Sequence, residues 1–242
     1  MSSTQTHLSD HDNHTVPIVD LSLLHQTDPH TKSLLIDQIH QACLQMGCFQ
    51  IVNHGISESV IEGALDVNSE FFDMPIANKE ELMSDDVYKP VRFRATVQLR
   101  ANFFYMLILL KILWHYGLII LLITGLHVMD TSGSSSSSSG DGAWRVVPEM
   151  KGTLVVLVGD HLQVLSNGIY KSALHRAVPS TDETRLSIAS FHSLAMDEVV
   201  EPAPELVDEE HPKGYRGSSF QDYINHLYSK KEKTFIETLR LN

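Results

Sequence analysis

Cysteine is nearly absent from this 242-residue chain: Cys43 and Cys48 are the only two. Two thiols are too few for a disulfide framework or a thiolate zinc cage, and such usage fits a reducing intracellular compartment. Basic residues are scarce as well, 18 Lys and Arg against 30 Asp and Glu, which leaves a net charge of -12. A field of that sign repels phosphate backbones and anionic lipid, so nucleic acid is not an expected partner. The N-terminus lacks a basic start followed by an apolar run. Met1 to Thr15 is polar, with Asp10 and Asp12, so no secretory signal is read and the expected location is the cytoplasm. Asn13-His14-Thr15 fits a glycosylation sequon that this location would leave unused. No internal repeat is visible.

Histidine is the one residue type in excess, with 14 copies. Imidazole is the commonest transition-metal ligand, so the count invites a search for a metal site, although any single one is more often a surface residue. Pro17 to Leu21 reads as a short strand. Asp28 with Pro29 behind it caps a helix running to about Met46, with Leu35, Ile39, Ala42, Cys43 and Met46 on one face and Gly47 as the stop. Cys48 to Val52 is a second strand. Asn53-His54-Gly55 supplies a turn before a helix in which Val60, Ala64, Val67 and Phe71 share a face, and Pro75 opens another short one.

Phe103 to Ile123 is an apolar run broken by Lys111 and His115, long enough by itself for a transmembrane segment. Against that reading, Lys111 lies near the centre, where a charge is expensive, and Leu118 to Ile123 is rich in β-branched residues and followed by Gly125, as a buried strand would be. The expectation is a strand from Leu118 and a helix over Phe103–Leu113. Leu126 to Met129 is the next strand, and Thr131 to Gly142, with six consecutive serines, is a flexible loop. Apolar runs then recur at Trp144–Val147, Leu154–Val158, Ser172–Val178 and Arg185–Phe191, a spacing that suggests a β-sandwich or jelly roll. Ser218 to Lys231 has helical spacing. The acidic run from Glu198 to Glu210 reads as a solvated surface.

The most informative stretch is Gly159-Asp160-His161-Leu162-Gln163-Val164-Leu165-Ser166-Asn167-Gly168, followed by Lys171-Ser172-Ala173-Leu174-His175-Arg176 and Arg185-Leu186-Ser187. On a strand Arg185 and Ser187 point to the same face, and a guanidinium beside a hydroxyl suits joint recognition of one carboxylate. This stretch closely resembles the plant-type 2-oxoglutarate- and Fe(II)-dependent dioxygenases. Val16 to Leu21, Gly47 to Gly55, Tyr116-Gly117, Ser190-Phe191-His192-Ser193 and Glu209 to Lys213 are similar to the same family. The resemblance implies a mainly β fold with flanking helices: a double-stranded β-helix (jelly roll), incomplete, with an α/β N-terminal region. It implies His175 as an iron ligand, and Arg185 and Ser187 as the binders of the far carboxylate of 2-oxoglutarate. Fe(II), 2-oxoglutarate and ascorbate are the implied cofactors. A small phenolic or alkaloid substrate, oxidised in a monomeric enzyme, is the implied partner.

The departures from that pattern matter equally. The family places a His-x-Asp just before its Tyr-Gly or His-Gly, and this chain has none. An ungapped match at Tyr116-Gly117 puts Leu113 at the His and His115 at the Asp, whereas a two-residue deletion makes His115 the surviving His. Either way the carboxylate is missing, with Asp130 and Asp160 the poor candidates to replace it. The family's Asn-x-Tyr and Tyr-Pro-x-Cys-Pro segment is absent too. The expected organisation is therefore a disordered tail at 1–15, an entry domain at 16–93, an atypical apolar segment at 94–115, a truncated oxygenase jelly roll at 116–195, and a C-terminal extension with a helix at 196–242. Two other readings stay open: a catalytically inactive family remnant that binds without turnover, and a protein tethered to a membrane through Phe103–Ile123.

Overall fold

The computed structural model describes residues 15–84, 89, 91, 94–96, 103–105, 118–122, 125–130, 142–178, 186–229 and 232–241. The N-terminal tail, most of the serine loop, Lys111, His115 and Arg185 lie outside them. Strand β1 (Ile18–Asp20) leads through a short 3-10 turn, capped by the Asp20 carboxylate, into helix α1 (Pro29–Gln45). The Asp28 side chain accepts from the His30 and Thr31 amides, which satisfies two of the free donors at the first turn of α1. Leu35, Ala42 and Cys43 are buried, as the helical spacing predicts. Gly47 ends the helix at φ +63°, and a Cβ there would lie 2.5 Å from the Lys171 carbonyl oxygen, so both conformation and contact require glycine.

β2 (Cys48–Val52) pairs parallel with β1 and antiparallel with β8 (Leu154–Val158). β5 (Leu118–Leu122) and β10 (Ile188–Phe191) complete a five-stranded sheet in the order β1-β2-β8-β5-β10. A three-stranded sheet, β7-β6-β9, is built from β6 (Leu126–Asp130), β7 (Ala143–Val146) and β9 (His175–Ala177). β8 shows why the large sheet is central. Leu154, Val156 and Val158 pack on one side with Leu35, Ala42, Cys43, Phe49 and Ile61, while Val155 and Leu157 pack on the other with Cys48, Leu126, Val128 and Val147. Alternation on an all-apolar strand thus covers one face with helices and the other with the second sheet, the layering of a jelly roll behind an α/β entry region.

Two expectations need correction. In α2 (Glu58–Asp73) the buried stripe is Ile61, Leu65 and Asn68; Val60 and Val67 are 60% and 65% exposed. One residue of offset is about 100° of rotation, and apolar residues recur at helical spacing in both registers, Val60 with Ala64, Val67 and Phe71, and Ile61 with Leu65 and Phe72. Tertiary contacts choose the face: Ile61 and Leu65 pack on the core of the helical layer, while on the exposed side Lys151 Nζ reaches Glu58 at 2.6 Å and Glu62 at 3.2 Å. The helix expected over Phe103–Leu113 is not seen at its start, where β4 (Phe103–Tyr105) pairs with β3 (Arg94–Thr96); aromatic residues favour a ladder there, and the rest of that run to Gly117 lies outside the described residues. Gly159 is the N-cap of α3 (Asp160–Leu165). Leu118 onward does form the strand its composition predicts. Among the described residues no helix is long and apolar enough to cross a membrane.

Beyond β10, β11 (Val199–Val200) pairs with β12 (Ser218–Ser219). Helices α4 (Phe220–Tyr228) and α5 (Phe235–Leu239) both begin with capping boxes, Ser219 with Asp222 and Thr234 with Glu237. They close a third cluster around Val164, Val200, Tyr215, Phe235 and Leu239.

Candidate functional site

The segment that delivers His175 is fixed from several sides. Buried Gln163, on α3, donates from Nε2 to the Tyr215 hydroxyl at 2.7 Å and accepts the Ser172 amide at 2.6 Å. Ser166 Oγ accepts the Tyr170 amide. Asn167, at φ +49°, accepts the Gly214 amide at 2.8 Å and donates to the Leu206 and Pro212 carbonyls. The Ser166-Asn167-Gly168 motif is therefore a clamp that ties the approach to β9 onto the C-terminal region.

On β9, His175 stands opposite Val128, and opposed residues share a face of the sheet. Val128 is fully buried between the sheets, so His175 belongs to the inward face, yet its side chain is exposed because β9 is the edge strand. Its Nδ1 lies 2.8 Å from the Ala173 carbonyl. A carbonyl only accepts, so Nδ1 carries the proton and Nε2 keeps a free lone pair, the form in which imidazole binds a metal. His175 lines a cavity of about 120 Å³ with Asp160, His161, Phe191, His192 and Tyr223, and it also borders a larger one of about 690 Å³.

Ser187 is exposed and immediately precedes β10, which belongs to the other sheet. His175 and the segment of Ser187 join different sheets: after Ala177 the chain leaves the three-stranded sheet and re-enters the five-stranded one at Ile188. The side chain two residues after Ser187, Ala189, packs on the inter-sheet cluster, and Phe191 meets His175 at the smaller cavity. Arg185 and His115 lie outside the described residues.

Of the alternative carboxylates, Asp130 is held in an ion pair, whereas Asp160 lines the same cavities as His175. Asp130 is buried and its Oδ2 takes the Arg145 Nε at 3.2 Å. Asp160 heads α3. His127 is on the opposite face of β6 from Val128, across from Arg176, with its Nδ1 buried and unpartnered. Among the described residues no group of three or more His, Cys, Asp and Glu is placed to hold a metal ion. The described residues thus fit one position of an iron site and not a set.

Two histidines that motif spacing leaves without a role sit at the same cavity. His161 is buried with its Nδ1 3.0 Å from Ser193 Oγ, and burial holds its pKa below the ordinary histidine value despite the pull of Asp160 and Asp222. His192 Nε2 is 3.2 Å from Ser190 Oγ, and burial lowers its pKa as well. The excess of histidine was the only sequence signal for this grouping. Phe191, Phe220 and Tyr223 supply apolar walls, and this partly dry setting disfavours the charged forms of His161 and His192.

The match to known proteins agrees with this architecture. Residues 16–102 match the model of the N-terminal region of non-haem dioxygenases in morphine synthesis, and residues 115–194 match that of the 2OG-Fe(II) oxygenase superfamily. The rice protein 2-oxoglutarate-dependent dioxygenase 21, chloroplastic (Oryza sativa subsp. japonica), is 33% identical, over 94% of this chain and 91% of its own length. Flavanone 3-dioxygenase 3 of the same organism is 31% identical, over 93% of each. The first of these alignments spans 313 positions against the 242 residues of this chain, so the relative carries residues without a counterpart here. Among solved structures, JOX2 in complex with 2OG, Fe and JA superposes with a TM-score of 0.74 at 20% identity, covering 94% of this chain and 90% of that one. The rice dioxygenase for auxin oxidation gives 0.72 at 20% identity, covering 93% and 100%. With its fold, its motifs and its relatives in agreement, the chain belongs to the 2-oxoglutarate- and Fe(II)-dependent oxygenase family.

Proposed function

We propose that this chain derives from an enzyme that hydroxylates or otherwise oxidises a small specialised metabolite, phenolic or alkaloid, and that as it stands it turns over 2-oxoglutarate negligibly. The observation that carries the reading is His175: an inward-face imidazole with Nδ1 committed to a backbone carbonyl and Nε2 free, while no group of three or more His, Cys, Asp and Glu among the described residues is placed to hold a metal. Fe(II) held at such a site supplies the capacity to activate O2 with a chelated 2-oxo acid, which needs two His and one carboxylate on one side of the metal. His175 presents one of those ligands. Asp130, the buried inward carboxylate, is engaged by Arg145, so the chain's own ion pair competes with any metal there.

Ser187 offers a hydroxyl donor for the far carboxylate of the co-substrate, with Arg185 as its expected companion. The lengths of the aligned relatives support the loss of a central segment, and with it the His-x-Asp. The proposed setting is a cytoplasmic monomer, with ascorbate as the reductant that keeps iron ferrous. A second reading, a family member that binds without turnover, rests on the same missing ligand set. The test is succinate formation with Fe(II), 2-oxoglutarate and ascorbate over a panel of phenolic and alkaloid substrates, with the native chain beside His175→Ala. We expect background in both. Iron-dependent succinate that disappears in His175→Ala would overturn the loss of activity and return the chain to the working enzymes.

A further inference from the structure

We infer that the cavity between α2 and the loop at 148–153 is a binding site for a small organic ammonium ion. Its volume is about 400 Å³, and it shares no lining residue with the two cavities that border His175. The site therefore stands apart from the iron position. Gln50, on β2, lines it and is only 1% exposed. Its Nε2 donates to the Pro148 carbonyl at 2.8 Å and lies 3.5 Å from the Thr153 hydroxyl, and both of those residues also line the cavity. The amide head is thus fixed at the cavity wall through its donor side. The other end of the amide, Oε1, is buried without a hydrogen-bond partner. An unpaired buried acceptor costs free energy, so this one favours a ligand that brings an N–H or O–H donor.

Charge decides the kind of donor. Among the described residues that line the cavity, Glu58, Glu62 and Glu149 stand against Lys151 alone. Lys151 Nζ lies 2.6 Å from Glu58 and 3.2 Å from Glu62, so the rim already holds one ammonium and keeps a surplus of negative charge. Ile61, Leu65 and Val155 line the same space, which suits the carbon skeleton of an amine better than a bare metal ion. The ligand class is therefore a primary ammonium on a short apolar stem, donating to Gln50 Oε1, with the stem on the apolar lining. The rim carboxylates are solvent-screened and contribute little each, so the charge-assisted bond to the buried acceptor carries the selectivity.

The experiment titrates the full chain by calorimetry with phenethylammonium, with phenethyltrimethylammonium, which keeps the charge and has no N–H, and with neutral phenethyl alcohol. The primary ammonium should bind about tenfold or more tightly than either. Gln50→Met removes the acceptor at similar length and should abolish the preference over the trimethyl ion. Glu149→Gln should weaken both cations by about threefold and leave the alcohol unchanged. Glu205→Gln, exposed in the acidic run outside the cavity, should change nothing. If Gln50→Met fails to fold, the native preference for N–H and the contrast between Glu149→Gln and Glu205→Gln decide the matter. No binding of the primary ammonium, equal affinities for the two cations, a preference that survives Gln50→Met, or a loss in Glu205→Gln as large as in Glu149→Gln would overturn the proposal.

Discussion

β8 and β9 are short neighbours in the chain, joined by the clamped α3 segment, and they differ in every physical respect. β8 lies inside its sheet with all five residues buried, its odd and even positions feeding two different cores. β9 is an edge strand with all three residues exposed, and it carries the metal-binding candidate. The contrast separates what stabilises the molecule from what it presents to a ligand. An inner strand holds the layers together, and an edge leaves an imidazole free to react.

The sharpest way to test that division is to truncate an inner residue. Leu157→Ala, at a fully buried position between the sheets, should destabilise the chain by about 2–5 kcal/mol, as large-to-small changes in close-packed cores do. The matching truncation Val146→Ala, at a position 61% exposed on the small sheet, should stay within about 0.5 kcal/mol. Denaturant midpoints of the two variants decide the point, and similar losses would break the comparison.

Gly47→Ala tests the junction that holds the two strands in place. An L-residue at φ +63° loses about 1–2 kcal/mol, and its Cβ would also press on the Lys171 carbonyl, so stability should fall by more than the conformational term alone. Fluorescence unfolding should show the loss, together with weaker cobalt(II) binding at His175, because Lys171 lies in the segment leading to β9. A stable variant with native cobalt binding would show that the approach to β9 adjusts freely.

pH separates the cavity from the core. Burial depresses the pKa of His161 in the folded chain, so the unfolded chain takes up a proton first as pH falls below about 6.5. Stability from this group is therefore present above that value and declines as pH falls toward the lower folded pKa. The thermal midpoint should drop between pH 7 and pH 5, and His161→Gln should show a smaller drop. Equal pH dependence in the two chains would place the effect elsewhere.

The smallest effects concern α2. Val60→Ser and Val67→Ser should each change stability by less than about 0.5 kcal/mol, whereas Ile61→Ala should weaken the helical layer clearly. A large loss at Val60 would restore the stripe that periodicity alone suggests. The thiols follow the core: burial pushes Cys43 up to about 11 and Cys48 up to about 12, so alkylation at pH 8 should await unfolding.

Much of this was legible in the sequence because it depends on near neighbours. Asp28-Pro29 announces the start of α1, Gly47 its end, and the unbroken apolar run Leu154–Val158 announces a strand covered on both faces. The spacing of His175 and Ser187, read with the Ser166-Asn167-Gly168 motif, points to the same family that the relatives show. The stripe of α2 was not legible, because two apolar stripes lie one residue apart and only the packing of Ile61 and Leu65 against core residues distant in sequence chooses between them. Nor could spacing show that His175 and the strand following Ser187 belong to different sheets, or that Asp130 pairs with Arg145. Caps, turns and alternation are settled within a few residues of chain, so the sequence by itself determines them. Sheet membership, the exposure of an edge strand and the meeting of His161, His175 and His192 at one cavity depend on segments distant in sequence, and only tertiary packing brings those together.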